Sequence, residues 1–105
     1  MSLRYLDILG TEYSVFFYDK SIPGADDERW GECNKHDHTI SVRYSIDPIA
    51  HVDTLLHELF HAIYHEYYIA EEGEEEEQVV SKLASGMAKV LTANPELYKW
   101  IGDNL

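Results

Sequence analysis

From Asp47 to Tyr67 the chain carries Ile49, Val52, Leu55, Leu56, Leu59, Phe60, Ile63 and Tyr67, a broad apolar stripe at helical spacing. The start of this helix is also marked, by an N-cap carboxylate at Asp47 and a proline, Pro48, at the first helical position. Inside it lies His57-Glu58-Leu59-Phe60-His61. At 100° per residue, His57 and His61 fall within about 40° of each other and about 6 Å apart along the axis, so two imidazoles can converge on one ion. On the wheel both lie at the rim of the stripe, where a cleft beside a core would open.

An ion held there gives the residue between the histidines a role. In H-E-x-x-H on a helix the two histidines bind zinc and the glutamate serves as general base. Glu58 leans over the open side of the ion, placed to take a proton from metal-bound water, whose pKa zinc lowers toward about 7. The bland alternative is a pair of solvated histidines on a surface helix. A catalytic zinc keeps three protein ligands and one open position. The extended pattern H-E-x-x-H-x-x-G-x-x-H finds its third ligand just beyond the motif, but Tyr64 and Tyr67 stand in the Gly and His places here, which excludes it. A Glu on the following helix is the other source. That helix opens with Glu74, Glu75, Glu76 and Glu77 after a break at Gly73, and carries Val79, Val80, Leu83, Ala84, Met87, Val90 and Leu91. Acidic residues suit the positive end of a helix, so most of the run needs no functional role. Its apolar stripe centres near Glu76 and leaves Glu77 at the rim, which favours Glu77 as the ligand and keeps Glu76 as the alternative.

The N-terminal half reads as strands. Tyr5, Leu6, Ile8 and Leu9, then Tyr13 to Tyr18, flank a Gly10-Thr11-Glu12 break, the pattern of a hairpin. Ser21 to Asp27, with Pro23 and Gly24, is a loop. Trp30 to Asn34 and Thr39 to Tyr44 form a second hairpin, with Ile40, Val42 and Tyr44 alternating against polar neighbours, hence a sheet with one wet face. The turn between them, Cys33-Asn34-Lys35-His36-Asp37-His38, has turn composition and is read as that rather than as a second metal site. His51 and His65 are read as surface or partly packed residues. Asn94-Pro95 repeats the cap-plus-proline signal for a last helix with Leu97, Trp100 and Ile101 on its apolar face. The expected fold is α+β: a small antiparallel sheet of two hairpins, four or so strands in all, packed on the motif helix and two further helices.

The 105 residues suit a single domain, 1–105, with one core. A net charge of −12 lacks the phosphate-neutralising cations of a nucleic-acid or anionic-membrane binder. One cysteine, Cys33, forms no internal disulfide and suits a reducing cytoplasm. The absence of a leader or a long apolar run makes a soluble intracellular protein the expectation.

Gly31-Glu32-Cys33, Thr39-Ile40-Ser41-Val42, Thr54 to Ile63 across the motif, Glu76-Glu77-Gln78-Val79-Val80 into Leu83-Ala84, and Asn94-Pro95 together resemble small gluzincin-like metallopeptidases of the ImmA/IrrE type, particularly the short phage-associated forms. The resemblance runs over nearly the whole chain, with H-E-x-x-H its one specific motif. It implies a minimal zincin-like fold, Zn²⁺ bound by His57, His61 and Glu77, Glu58 as general base, and hydrolysis of a peptide or protein substrate. In such families a large apolar and a small residue follow the ligand Glu by six and seven places, which Leu83-Ala84 satisfy for Glu77. Tyr64, Tyr67, Tyr68 and His65 are the nearby candidates for stabilising the oxyanion. Two other readings are a zinc-binding but inactive interaction module, whose acidic surface docks a basic protein partner, and an acidic decoy that needs no metal.

Overall fold

Strand alternation puts Leu6, Ile8, Tyr13, Val15, Ile40 and Val42 on one side of four short strands, and all six are buried. The computed structural model describes residues 3–23, 29–67 and 76–105, the side chains of Glu76, Glu77 and Val80 excepted. Its elements are β1 (Tyr5–Ile8), β2 (Thr11–Tyr18), β3 (Gly31–Asn34), β4 (Thr39–Arg43), α1 (Pro48–Glu66), α2 (Glu76–Ala93) and α3 (Pro95–Asn104). This is the expected α+β architecture, with one sheet packed against three helices. The loop residues Gly24 to Asp27 and the helix break at Gly73 lie outside the described residues. Among the described residues no helix is long and apolar enough to cross a membrane.

Both hairpins form. β1 and β2 pair antiparallel, and β3 and β4 do the same. The first turn is Leu9-Gly10, both at positive φ, so β2 already begins at Thr11, where the sequence suggested a break. In the second turn the Asn34 side-chain oxygen accepts from the backbone N–H groups of His36 and Asp37, each at 3.0 Å, the turn chemistry read from the sequence. The hairpins meet differently from a simple meander. Sheet order is β1-β2-β4-β3, and β2 and β4 run parallel, so the sheet is mixed and not the antiparallel one expected from the sequence. After β2 the chain goes first to the far edge as β3, then returns as β4 into the slot beside β2. The reason lies in composition: β4 carries Ile40 and Val42, both fully buried, and belongs inside, whereas β3 with Gly31, Glu32 and Asn34 tolerates an edge. Tyr44, expected to continue the buried face of β4, lies beyond the strand and is exposed.

α1 starts as expected, with the Asp47 carboxylate accepting from the Ile49 N–H at 3.0 Å. Its inward face is narrower than the apolar stripe. Val52, Leu55, Leu59, Ala62 and Ile63 are buried, while Ile49 and Phe60 are exposed. α2 lies close on the C-terminal half of α1: a Cβ on Gly86 would stand 2.5 Å from the Ile63 side chain and 2.9 Å from the Tyr67 ring. At the α2–α3 junction Asn94 does not cap α3 through its side chain. The carboxamide is buried and turned to β1, where its oxygen accepts from the Asp7 N–H and its nitrogen donates to the Asp7 carbonyl, both at 2.9 Å. The same nitrogen donates to the Val90 carbonyl at 2.8 Å, so one side chain closes the free edge of β1 and the end of α2 together.

Candidate metal centre on helix α1

One turn apart on α1, the His57 and His61 rings are 4.8 Å between centroids and their Nε2 atoms approach to 3.2 Å. Two nitrogens at about 2.0–2.1 Å from one tetrahedral ion stand about 3.3 Å apart, so the pair has the spacing of two ligands of a single zinc. A hydrogen bond between opposite tautomers would give a similar distance, but both rings are exposed and have water as a partner without it. Sequence placed the histidines at the rim of the buried face. They lie further out, on roughly the opposite side of the helix from Val52, Leu55, Leu59 and Ile63, because the buried face is narrower than the apolar stripe.

On one flank of the pair, Phe60, Tyr64 and Leu83 of α2 join the two histidines in lining an apolar hollow of about 270 Å³. On the other flank lies Glu58, 8 % exposed, its carboxylate turned toward the edge strand β3 at Gly31. Burial pushes the Glu58 carboxyl above its ordinary value, against the opposing pull of His57, His61 and Arg29. A carboxylate so placed is a better proton acceptor than a solvated one and lies next to the histidine pair without belonging to it.

Further along the same inward flank the half-buried Cys33 faces α1, and its thiol is pushed up to about 11, by burial first and then by the negative charges of Glu58, Glu66 and Glu32. Without a metal beside it such a thiol stays protonated near neutrality and is a poor nucleophile. Glu66, at the end of α1, accepts from the Tyr13 hydroxyl at 2.9 Å and the Thr11 hydroxyl at 3.2 Å, with His38 Nε2 at 4.0 Å. These bonds fasten the helix to β2, and burial together with the Glu66 carboxylate raises the Tyr13 phenol well above its usual range. His51, read as a surface or partly packed residue, is buried among the rings of Phe17, Tyr44 and Trp100 at centroid distances of 5.3–5.7 Å, far from metal chemistry and with its pKa lowered by burial.

Among the described residues no group of three His, Cys, Asp or Glu side chains is gathered for a metal. The donors present fit two zinc ligands, and the side chains of Glu76 and Glu77, the candidates for the third, lie outside the described residues. Of the oxyanion candidates, Tyr64 lines the hollow with the histidines, whereas the Tyr67 hydroxyl accepts from Lys89 Nζ at 3.0 Å on the α2 side. Tyr68 lies outside the described residues. Sequence reasoning missed Gly31 and Thr54 against Glu58, and Leu83 as a wall of the hollow. A glycine within a strand otherwise fit for side chains was the available signal for the first.

Comparison of the chain with models of protein families, with curated proteins and with solved structures finds no match.

Proposed function

We propose that this chain is a zinc-dependent, metallopeptidase-like hydrolase acting on a peptide or protein substrate. The observation that carries the reading is the convergence of His57 and His61 Nε2 at 3.2 Å beside a buried, proton-accepting Glu58. His57, His61 and Glu77 would hold the ion, with Glu76 the alternative third ligand. Zinc, when bound, polarises the scissile carbonyl and acidifies a water. Glu58 is the residue that would accept a proton from the attacking water and hold it for the leaving amine, a task that suits a carboxylate whose proton affinity has been raised. Tyr64, on the wall of the hollow, is the residue we assign to the developing oxyanion. A single cysteine, with no internal disulfide, suits a reducing cytoplasmic setting, and the net charge of −12 argues against nucleic acid as the substrate.

The direct test is cleavage of fluorescently labelled casein by the zinc-loaded chain, abolished by a chelator and restored by zinc. No cleavage with a full equivalent of bound zinc would leave the inactive, zinc-binding interaction module as the reading. The third ligand is separable by metal-competition titration. Glu77→Ala is expected to weaken zinc binding by at least about tenfold and Glu76→Ala to leave it nearly unchanged. Leu83, on the wall of the hollow, matches the helical phase of Glu76 within about 20°. A dominant loss at Glu76 would therefore mean that this register decides the ligand and would move the assignment by one residue.

A further inference from the structure

We propose that Gly31 is the positioning residue that seats the Glu58 carboxylate, an inference that rests on the hydrolase reading for its catalytic meaning. Gly31 pairs with Val42 across the β3–β4 ladder, and directly opposed residues share a face, so a side chain at Gly31 would point inward with the buried Val42, toward α1. No space exists for one. A Cβ there would stand 2.7 Å from Glu58 Oε2, 2.9 Å from Glu58 Cγ and 2.8 Å from Thr54 Cγ2. Backbone conformation does not demand the glycine, since among the described glycines only Gly10 takes positive φ. The requirement is room alone.

The neighbouring contacts explain why that room is filled by Glu58 in one arrangement. Thr54 lies one turn before Glu58 and donates its hydroxyl to the Ala50 carbonyl at 2.9 Å, which fixes its rotamer while its methyl lies against Gly31. α1 thus touches bare backbone at Gly31 through Thr54 and Glu58 together. This close approach leaves Glu58 only 8 % exposed while the histidines beside it stay open to solvent. Any side chain at Gly31 must displace the carboxylate and press back the Thr54 methyl, or lift the helix from the edge strand. Glu58 is the flexible partner and moves first. The atoms that a Cβ at Gly31 would meet first belong to Glu58 and Thr54 and not to His57 or His61, so the metal ligands are spared.

Gly31→Ala in the full chain, with zinc in excess, is expected to keep its metal and to lower kcat on labelled casein by about a hundredfold or more with KM little changed. A double-mutant cycle in urea supplies the readout that does not depend on activity. Gly31→Ala should shift the unfolding constant at least about tenfold more in the wild-type background than in Glu58→Ala, since the Thr54 contact is common to both and cancels. Should Gly31→Ala fail to fold, folding restored by adding Glu58→Ala supports the same coupling. Equal cost in both backgrounds, failure of both variants to fold, or loss of zinc from Gly31→Ala would overturn the proposal. A wild-type chain that cleaves nothing while the coupling persists would sink the hydrolase reading and leave Gly31 as the seat of Glu58.

Discussion

Glu58→Gln is expected to keep the zinc and to lower casein hydrolysis by about a hundredfold to ten-thousandfold, the usual worth of a positioned general base. The amide nearly preserves the shape that fits against Gly31 and Thr54 but cannot accept the proton from water at a useful rate. His57→Ala should lose metal and hydrolysis together, because one of two converging nitrogens is gone. Were Glu58→Gln to lose zinc as His57→Ala does, the division between base and ligand would be wrong. The same substitution has a stability signature in metal-free protein. Burial raises the Glu58 carboxyl above its ordinary 4.5, so the folded chain holds this proton to higher pH than the unfolded chain. Ionised Glu58 therefore costs stability above its folded pKa, and the cost vanishes as pH falls below the unfolded value. Glu58→Gln should stabilise the metal-free fold at neutral pH and make little difference near about pH 3, as urea unfolding at the two pH values would show. Destabilisation at neutral pH would mean that the favourable charges of His57, His61 and Arg29 outweigh the cost of burying the carboxylate.

The second large effect is expected far from the histidines. Asn94→Ala removes three hydrogen bonds at once and strands the Asp7 N–H and the Asp7 carbonyl beside a buried side chain, while the Val90 carbonyl keeps the Asn94 backbone N–H at 3.0 Å. Unsatisfied buried groups cost about 1–3 kcal/mol each, and water reaching the part-buried Asp7 groups recovers some of that, leaving a net loss of about 2–4 kcal/mol. For a domain of this size that lowers the thermal midpoint by about 10–20 °C. Asn94→Asp should do no better. It retains the acceptor for the Asp7 N–H but loses both donated bonds and sets a carboxylate against two carbonyl oxygens. A midpoint within about 2 °C of wild type for either variant would show that this carboxamide does not hold β1 to the α2–α3 junction.

These residues also mark where the sequence could be read and where it could not. Asp47-Pro48, the helical spacing of Val52, Leu55, Leu59 and Ile63, and the alternation in β2 and β4 are local signals, and each formed the element they indicate. The i, i+4 histidine pair is equally local, since helix geometry alone sets its spacing. What failed to show depends on partners distant in sequence. Asn94-Pro95 looks like a helix cap, and only the approach of β1 diverts its carboxamide to Asp7. The parallel β2–β4 pair is chosen by which strand carries the fully buried residues and so takes the inner place, a competition between hairpins that neither hairpin reveals alone. Gly31 carries no pattern of its own, and its meaning comes from Glu58 and Thr54 on a helix that begins seventeen residues later, at Pro48. His51 was misjudged for the same reason: Phe17 and Trp100 come to it from β2 and α3.

The central claim, that His57 and His61 are two ligands of one catalytic-type zinc, is tested most directly by metal analysis of the purified chain after zinc is offered and excess removed. One equivalent of zinc per chain is the predicted result, falling to near zero in His57→Ala and remaining near one in Glu58→Gln. Well under half an equivalent in the wild-type protein would contradict it and leave the 3.2 Å approach of the two rings as a surface contact between histidines.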